Sequence, residues 1–121
     1  MTKKILIVDD EKEIVELLEV ALKAKGYNVI SVAHGNTLFE IVVNEKPDLI
    51  ILDILLPGLD GYSIQLQFAH QEETKNVSVI ILTALPAAKT LFDEFKQVKG
   101  FISKPFEMAN LLNKVNEILG E

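Results

Sequence analysis

The chain contains no cysteine and no arginine. Without cysteine there are no disulfides and no thiolate metal ligands, and nothing points to an oxidising compartment, so a cytoplasmic location is expected. Without arginine, the positive charge rests on twelve lysines against eighteen acidic residues, for a formal net charge of −6 and a pI near 4.9. Neutralising phosphate backbones takes a positive surface, so no direct nucleic-acid binding is expected. Long hydrophobic runs are missing too. The apolar stretch Ile5-Leu-Ile-Val8 is cut short by Asp9, Asp10 and Glu11, well below the length of a signal-peptide core or a membrane span. The chain is therefore expected to be soluble, unprocessed and away from membranes. Internal repeats, low-complexity tracts and linkers are absent as well.

What is present suits one domain over residues 1–121, either a whole protein or one part of a longer one, because 49% hydrophobic residues fill a core of this size. Three runs, Ile5–Val8, Leu49–Leu52 and Val79–Leu82, are apolar at every position and rich in β-branched residues. Strands covered on both faces read this way, which predicts a parallel sheet between two helical layers. Asn28–Ala33 and Gly100–Ser103 supply two further strands. Helical spacing lies between them. Ile14, Leu17, Leu18, Ala21 and Leu22 share one face, with Asp10 and Glu13 as a capping-box variant and Gly26 as the stop. Helices are also expected over 36–45 and Met108–Leu119. Tyr62, Ile64, Leu66 and Phe68 alternate with polar residues as a strand would, but Ile64 and Phe68 are four apart, and parallel neighbours need a crossover. A third helix is therefore expected there. Leu85–Thr90, rich in small residues around Pro86, reads as a loose connection.

In an open α/β sheet, ligands bind beyond the carboxyl ends of the strands. Asp9 and Asp10 end the first strand, Asp53 the third, Thr83 the fourth, and Lys104 with Pro105 the fifth. Three carboxylates on one rim repel each other by about 4 kcal/mol per pair at roughly 4 Å and an effective dielectric near 20. A divalent cation or protonation relieves that. All-oxygen ligands without His or Cys favour Mg²⁺, which binds through a few carboxylates plus a phosphate. The chemistry such a set supports is attack of an aspartate oxygen on phosphorus, with the lysine and the hydroxyl holding the equatorial oxygens. Singly, each residue has a plainer role: Asp10 as a helix cap, Thr83 as a strand end, Lys104 as a surface charge, Asp53 as the polar end of a buried strand. Independent strand ends have no reason to gather three acids, a hydroxyl and a lysine on one edge.

Four stretches in order, Ile5-Leu-Ile-Val-Asp-Asp10, Asp53-Ile-Leu-Leu-Pro-Gly-Leu-Asp-Gly61, Leu82-Thr-Ala84 and Lys104-Pro-Phe106, resemble the CheY-like receiver domains of two-component response regulators over essentially the whole chain. The resemblance implies a doubly wound (βα)₅ domain with a five-stranded parallel sheet in the flavodoxin-like order 2-1-3-4-5. It implies a phosphorelay switch in which Asp53 accepts a phosphoryl group from a sensor histidine kinase or a phosphotransfer protein. Mg²⁺ would be held by Asp10, Asp53 and the Leu55 backbone carbonyl, with Asp9 acting through water. Thr83 and Lys104 would contact the phosphoryl group, Thr83 and Phe101 would form the switch pair, and Lys104-Pro105 would be a cis peptide. Pro57, Gly58 and Gly61 would shape the loop after Asp53.

The same resemblance implies a downstream effector or output domain as partner, and leaves room for a phosphorylation-dependent dimer through the fourth helix, fifth strand and fifth helix. Such a domain catalyses its own phosphorylation and a slow autodephosphorylation without being a turnover enzyme. Slowness is expected because the rim positions Leu55 and Leu85 are apolar, so water reaches the acyl phosphate past greasy side chains. Some features depart from the family pattern. The segment from Thr83 to Lys104 is about one residue short, Val98-Lys99-Gly100 replaces the usual small turn before the fifth strand, and Phe101 lacks a tyrosine hydroxyl. The alternative reading is a degenerate receiver acting as a constitutive binding module. A haloacid-dehalogenase-type hydrolase would need a second aspartate where Leu55 stands. His34, His70, Asp48 and Asp60 read as exposed loop or helix-end residues.

Overall fold

A computed structural model describes residues 2–120; Met1 and Glu121, the outermost residues of the expected 1–121 domain, lie outside the described residues. Five strands, β1 (Lys4–Val8), β2 (Asn28–Val32), β3 (Leu49–Leu52), β4 (Ser78–Thr83) and β5 (Val98–Ser103), alternate with helices α1 (Lys12–Ala24), α2 (Leu38–Glu45), α3 (Gly61–His70), α4 (Lys89–Phe92) and α5 (Met108–Leu119). The sheet is parallel throughout in the order β2-β1-β3-β4-β5, as expected.

The all-apolar strands feed two cores by alternation. Leu6, Val8, Ile50, Leu52, Val79 and Ile81 face Leu38 and Val42 of α2, Phe68 of α3, Phe92 of α4 and Phe95 just beyond it. Ile5, Ile7, Leu49, Ile51, Ile80 and Leu82 face Leu18 and Leu22 of α1 and Leu111 and Val115 of α5. Each strand is thus buried on both sides, which is why its sequence shows no polar face.

Several local expectations are corrected. The capping box at α1 does not form: the N-cap is Glu11, which makes no side-chain cap hydrogen bond. The helix does stop before Gly26. Helix α2 starts at Leu38 rather than residue 36, because Thr37 sits in the left-handed region at φ 60° and breaks helical continuity before it. The alternating pattern 62–68 is a helix, α3, in which Gln65 is buried while Leu66 is exposed, so the strand-like alternation has no structural counterpart.

The larger departure is α4. The stretch 85–90 forms a 3₁₀ turn (Pro86–Ala88) running into a four-residue helix, and the chain then turns so that Phe92 and Phe95 both enter the core with Tyr62. Two buried aromatics three residues apart hold this tight connection in place of a longer helix. It ends in an irregular register at Val79/Ile80, where β5 steps from Val98 to Gly100 opposite consecutive β4 residues.

Candidate functional site

The strand ladders run one residue past the strands and fix the rim. Asp9 N–H donates to the Val32 carbonyl (3.1 Å), Asp53 N–H to the Val8 carbonyl (2.9 Å), and Lys104 N–H to the Thr83 carbonyl (2.8 Å). Main-chain bonds across three of the four strand boundaries thus set where the three charged side chains begin. The Lys104-Pro105 peptide is cis, as expected.

Ligand oxygens of Asp9, Asp10 and Asp53 all lie within 4.8 Å of one another. Asp9 and Asp53 are buried and Asp10 is exposed. Asp53 Oδ1 accepts from the Leu55 N–H (2.9 Å) and its Oδ2 from Lys104 Nζ (3.0 Å). Asp9 Oδ1 accepts from the Glu11 N–H (2.8 Å). Its Oδ2 lies 3.0 Å from Lys104 Nζ but off a hydrogen-bonding direction, and has no hydrogen-bond partner among the described residues. Burial pushes the Asp9 carboxyl above the ordinary range, against the pull of the Glu11 N–H and of Lys104, and the neighbouring Asp53 charge adds to the rise. For Lys104, burial works against the charge, but contacts with Glu11, Asp9 and Asp53 outweigh it and the pKa is raised.

Thr83 is fully buried, its hydroxyl accepting from the Leu85 N–H at 3.3 Å. Leu55 and Leu85, each two residues beyond Asp53 and Thr83, are 53% and 46% exposed. Phe101 is half-buried against the core on the α2, α3 and α4 side. In the loop after Asp53, Gly58 adopts φ +74°, a conformation open mainly to glycine. Gly61 serves differently: a Cβ there would lie 2.6 Å from Ile54 Cβ, so close approach rather than a special φ demands glycine.

His34 and His70 are exposed, as expected, and neither belongs to the cluster of Asp9, Asp10 and Asp53. Three acids had roles that sequence reasoning missed. Asp60 caps α3, its carboxylate accepting from the Ser63 N–H and hydroxyl (3.2 and 3.0 Å). Asp48 accepts from the Lys4 N–H at the start of β1 (2.8 Å). Glu11 makes the shortest contact of the site, 2.7 Å to Lys104 Nζ. Its signal was available: a glutamate directly after Asp9-Asp10, at a helix start where shorter side chains cap better.

A buried carboxylate oxygen without a hydrogen bond, beside two more carboxylates and no nitrogen or sulfur ligand, fits a hard divalent cation such as Mg²⁺. The family model described as response regulator receiver domain matches residues 5–116. The chain belongs to that family.

Among curated relatives, this receiver is 37% identical over 126 residues to the alkaline phosphatase synthesis transcriptional regulatory protein PhoP of Bacillus subtilis, covering 98% of this chain and 49% of the relative. The chain thus spans about half the length of that protein. Among solved structures it resembles the receiver domain of sensor histidine kinase PA1611 from Pseudomonas aeruginosa, which has a magnesium ion coordinated in its active-site cleft (29% identity, TM-score 0.85, 100% of both chains). It also resembles response regulator TrrA of Thermotoga maritima in complex with Mg²⁺ and BeF (28% identity, TM-score 0.83, 97% of this chain and 99% of that one). This receiver domain of the two-component, CheY-like type therefore carries an acidic pocket able to hold a metal. Among the described residues, no helix is long and apolar enough to cross a membrane.

Proposed function

We propose that the domain is a phosphorylation-dependent switch that accepts a phosphoryl group on Asp53 from the phosphohistidine of a sensor kinase or phosphotransfer protein. The observation that carries this reading is the convergence of Asp53 and Lys104 at 3.0 Å, with Asp9 and Asp10 within metal-sharing distance. An Asp53 oxygen attacks phosphorus, the new O–P bond forms as the P–N bond breaks, and the imidazole leaves with the bonding pair. Lys104 offers its ammonium to the arriving oxygens, and the Thr83 hydroxyl, which accepts from the Leu85 N–H in this structure, turns toward them to donate. Bound Mg²⁺, held by Asp10, Asp53 and the Leu55 carbonyl with Asp9 acting through water, would offset charge on the transferring group.

Output passes through Phe101 and the surface of α4, β5 and α5 to an effector or output domain, with dimerisation on that face as one form of output. The domain promotes its own modification and is not a turnover enzyme. A constitutive binding module is the weaker reading, since the chain carries Asp9, Asp10, Asp53, Thr83 and Lys104 together at its strand ends. The test is intact mass after incubation with phosphoramidate and Mg²⁺. One added phosphoryl is expected, lost in Asp53→Asn and without metal; no adduct, also with a cognate kinase, would favour the binding module. With exposed, apolar Leu55 and Leu85 each two residues beyond Asp53 and Thr83, the acyl phosphate is expected to outlast a timescale of minutes at room temperature in Mg²⁺, followed by the decay of that mass adduct.

A further inference from the structure

Glu11 breaks a local rule. It occupies the N-cap of α1, a position that favours Ser, Thr, Asp or Asn because a short side chain folds back onto the next N–H groups. It makes no such bond. Its carboxylate turns instead to Lys104, 93 positions away in sequence, and reaches Nζ at 2.7 Å. A cap left unmade without local compensation marks a residue placed for something other than the helix.

The ammonium has three N–H groups. In this structure it has three carboxylate neighbours, Asp9 Oδ2 and Asp53 Oδ2 at 3.0 Å each and Glu11 Oε1 at 2.7 Å. Asp9 and Asp53 belong to the metal cluster, and a cation there takes their oxygens. Glu11 is outside that cluster and keeps its hold. Two of its N–H groups then face the pocket, but Glu11 still neutralises the ammonium and holds it at 2.7 Å, so phosphoryl oxygens arriving at Asp53 compete with that carboxylate for the lysine's charge and position.

We propose that Glu11 is a positioning residue that competes with the phosphoryl group for the Lys104 ammonium, holding the lysine at the mouth until an anion displaces it. This rests on the phosphoryl-accepting reading above. Glu11 is half-exposed, so substitution there leaves the core untouched.

The test is beryllofluoride affinity at saturating Mg²⁺, with the affinity for Mg²⁺ alone measured in parallel, for the unaltered chain, Glu11→Gln, Glu11→Ala and Glu11→Asp. Beryllofluoride imitates the phosphoryl group on an aspartate. Glu11→Gln and Glu11→Ala are expected to bind it about fivefold more tightly, the scale of an exposed ion pair. Mg²⁺ alone should bind them no better than before, because a nearby negative charge has gone. Glu11→Asp, charged but too short to reach Lys104, should behave like the glutamine variant. Unchanged or weaker beryllofluoride binding in Glu11→Gln overturns the proposal, as does an aspartate variant that matches the unaltered chain. A purely structural role would weaken both ligands together, which also overturns it. If the unaltered chain binds Mg²⁺ but no beryllofluoride, the phosphoryl reading itself falls and takes this inference with it.

Discussion

Asp9 holds a buried charge that Lys104 offsets only in part. Its carboxyl is raised by burial, so between the unfolded value of 3.8 and its higher folded value the native state holds more protons than the unfolded chain. Stability from this group is therefore full below pH 3.8 and falls as pH rises through the folded value. Asp9→Asn is expected to melt above the unaltered protein at pH 7 in chelator, with the gap closing toward pH 4. Thermal unfolding across that range checks the sign, and the same variant should lose Mg²⁺ affinity. At this scale the sequence was most legible where a polar residue interrupts an all-apolar strand end, as at Asp9, Asp53, Thr83 and Lys104. It was least legible where a side chain reaches a distant element, as Glu11 does, because no local pattern encodes a partner 93 positions away.

Among the elements, the connection from α3 to β5 shows how a shortened helix is braced. Buried Gln97, just before β5, donates to the Thr74 and Val77 carbonyls (3.1 and 2.8 Å) and accepts from Gln65 Nε2 of α3 (2.9 Å). The Thr74 hydroxyl in turn donates to the Phe68 carbonyl (2.8 Å). Gln97→Leu leaves those carbonyls and the Gln65 amide without partners in a dry setting. It should cost about 1–3 kcal/mol, read as a lower midpoint in urea at an unchanged slope. None of this network could be read in advance: Gln65 and Gln97 resemble surface residues in sequence, and the Tyr62, Phe92 and Phe95 cluster that holds the short helix α4 is assembled from two separate segments. Hydrophobic periodicity did identify α1, α2 and α5, because each lays an apolar stripe on one side of the sheet, whereas α3, with Gln65 buried and Leu66 exposed, was expected mainly because parallel strands need a crossover.

For the molecule as a whole, strand order decides which charges meet. β1 and β3 are neighbours, so Asp9 and Asp53 are forced together, and their repulsion is a standing cost of the native state. A cation that binds only the folded form repays it by mass action. At a free Mg²⁺ concentration one hundred times the dissociation constant, stability should rise by about 2.7 kcal/mol. Melting temperature measured against Mg²⁺ should climb without a plateau until the metal begins to act elsewhere, and Asp53→Asn should flatten the curve. With no cysteine, a reductant should leave it unchanged.

Lys104 follows an edge strand, β5, which is paired on one side only, and reaches past β4 to Asp53 at the end of β3. The lysine therefore stitches a margin of the sheet to its centre. Edge strands fray more readily than central ones, and amide hydrogen exchange measures that opening. Any anion that tightens the grip on Lys104 raises the work needed to peel β5 away, so exchange at Phe101 and Ile102 should slow when the pocket is filled. Occupancy of a buried carboxylate would then be legible at the border of the fold as a change in how often that border opens.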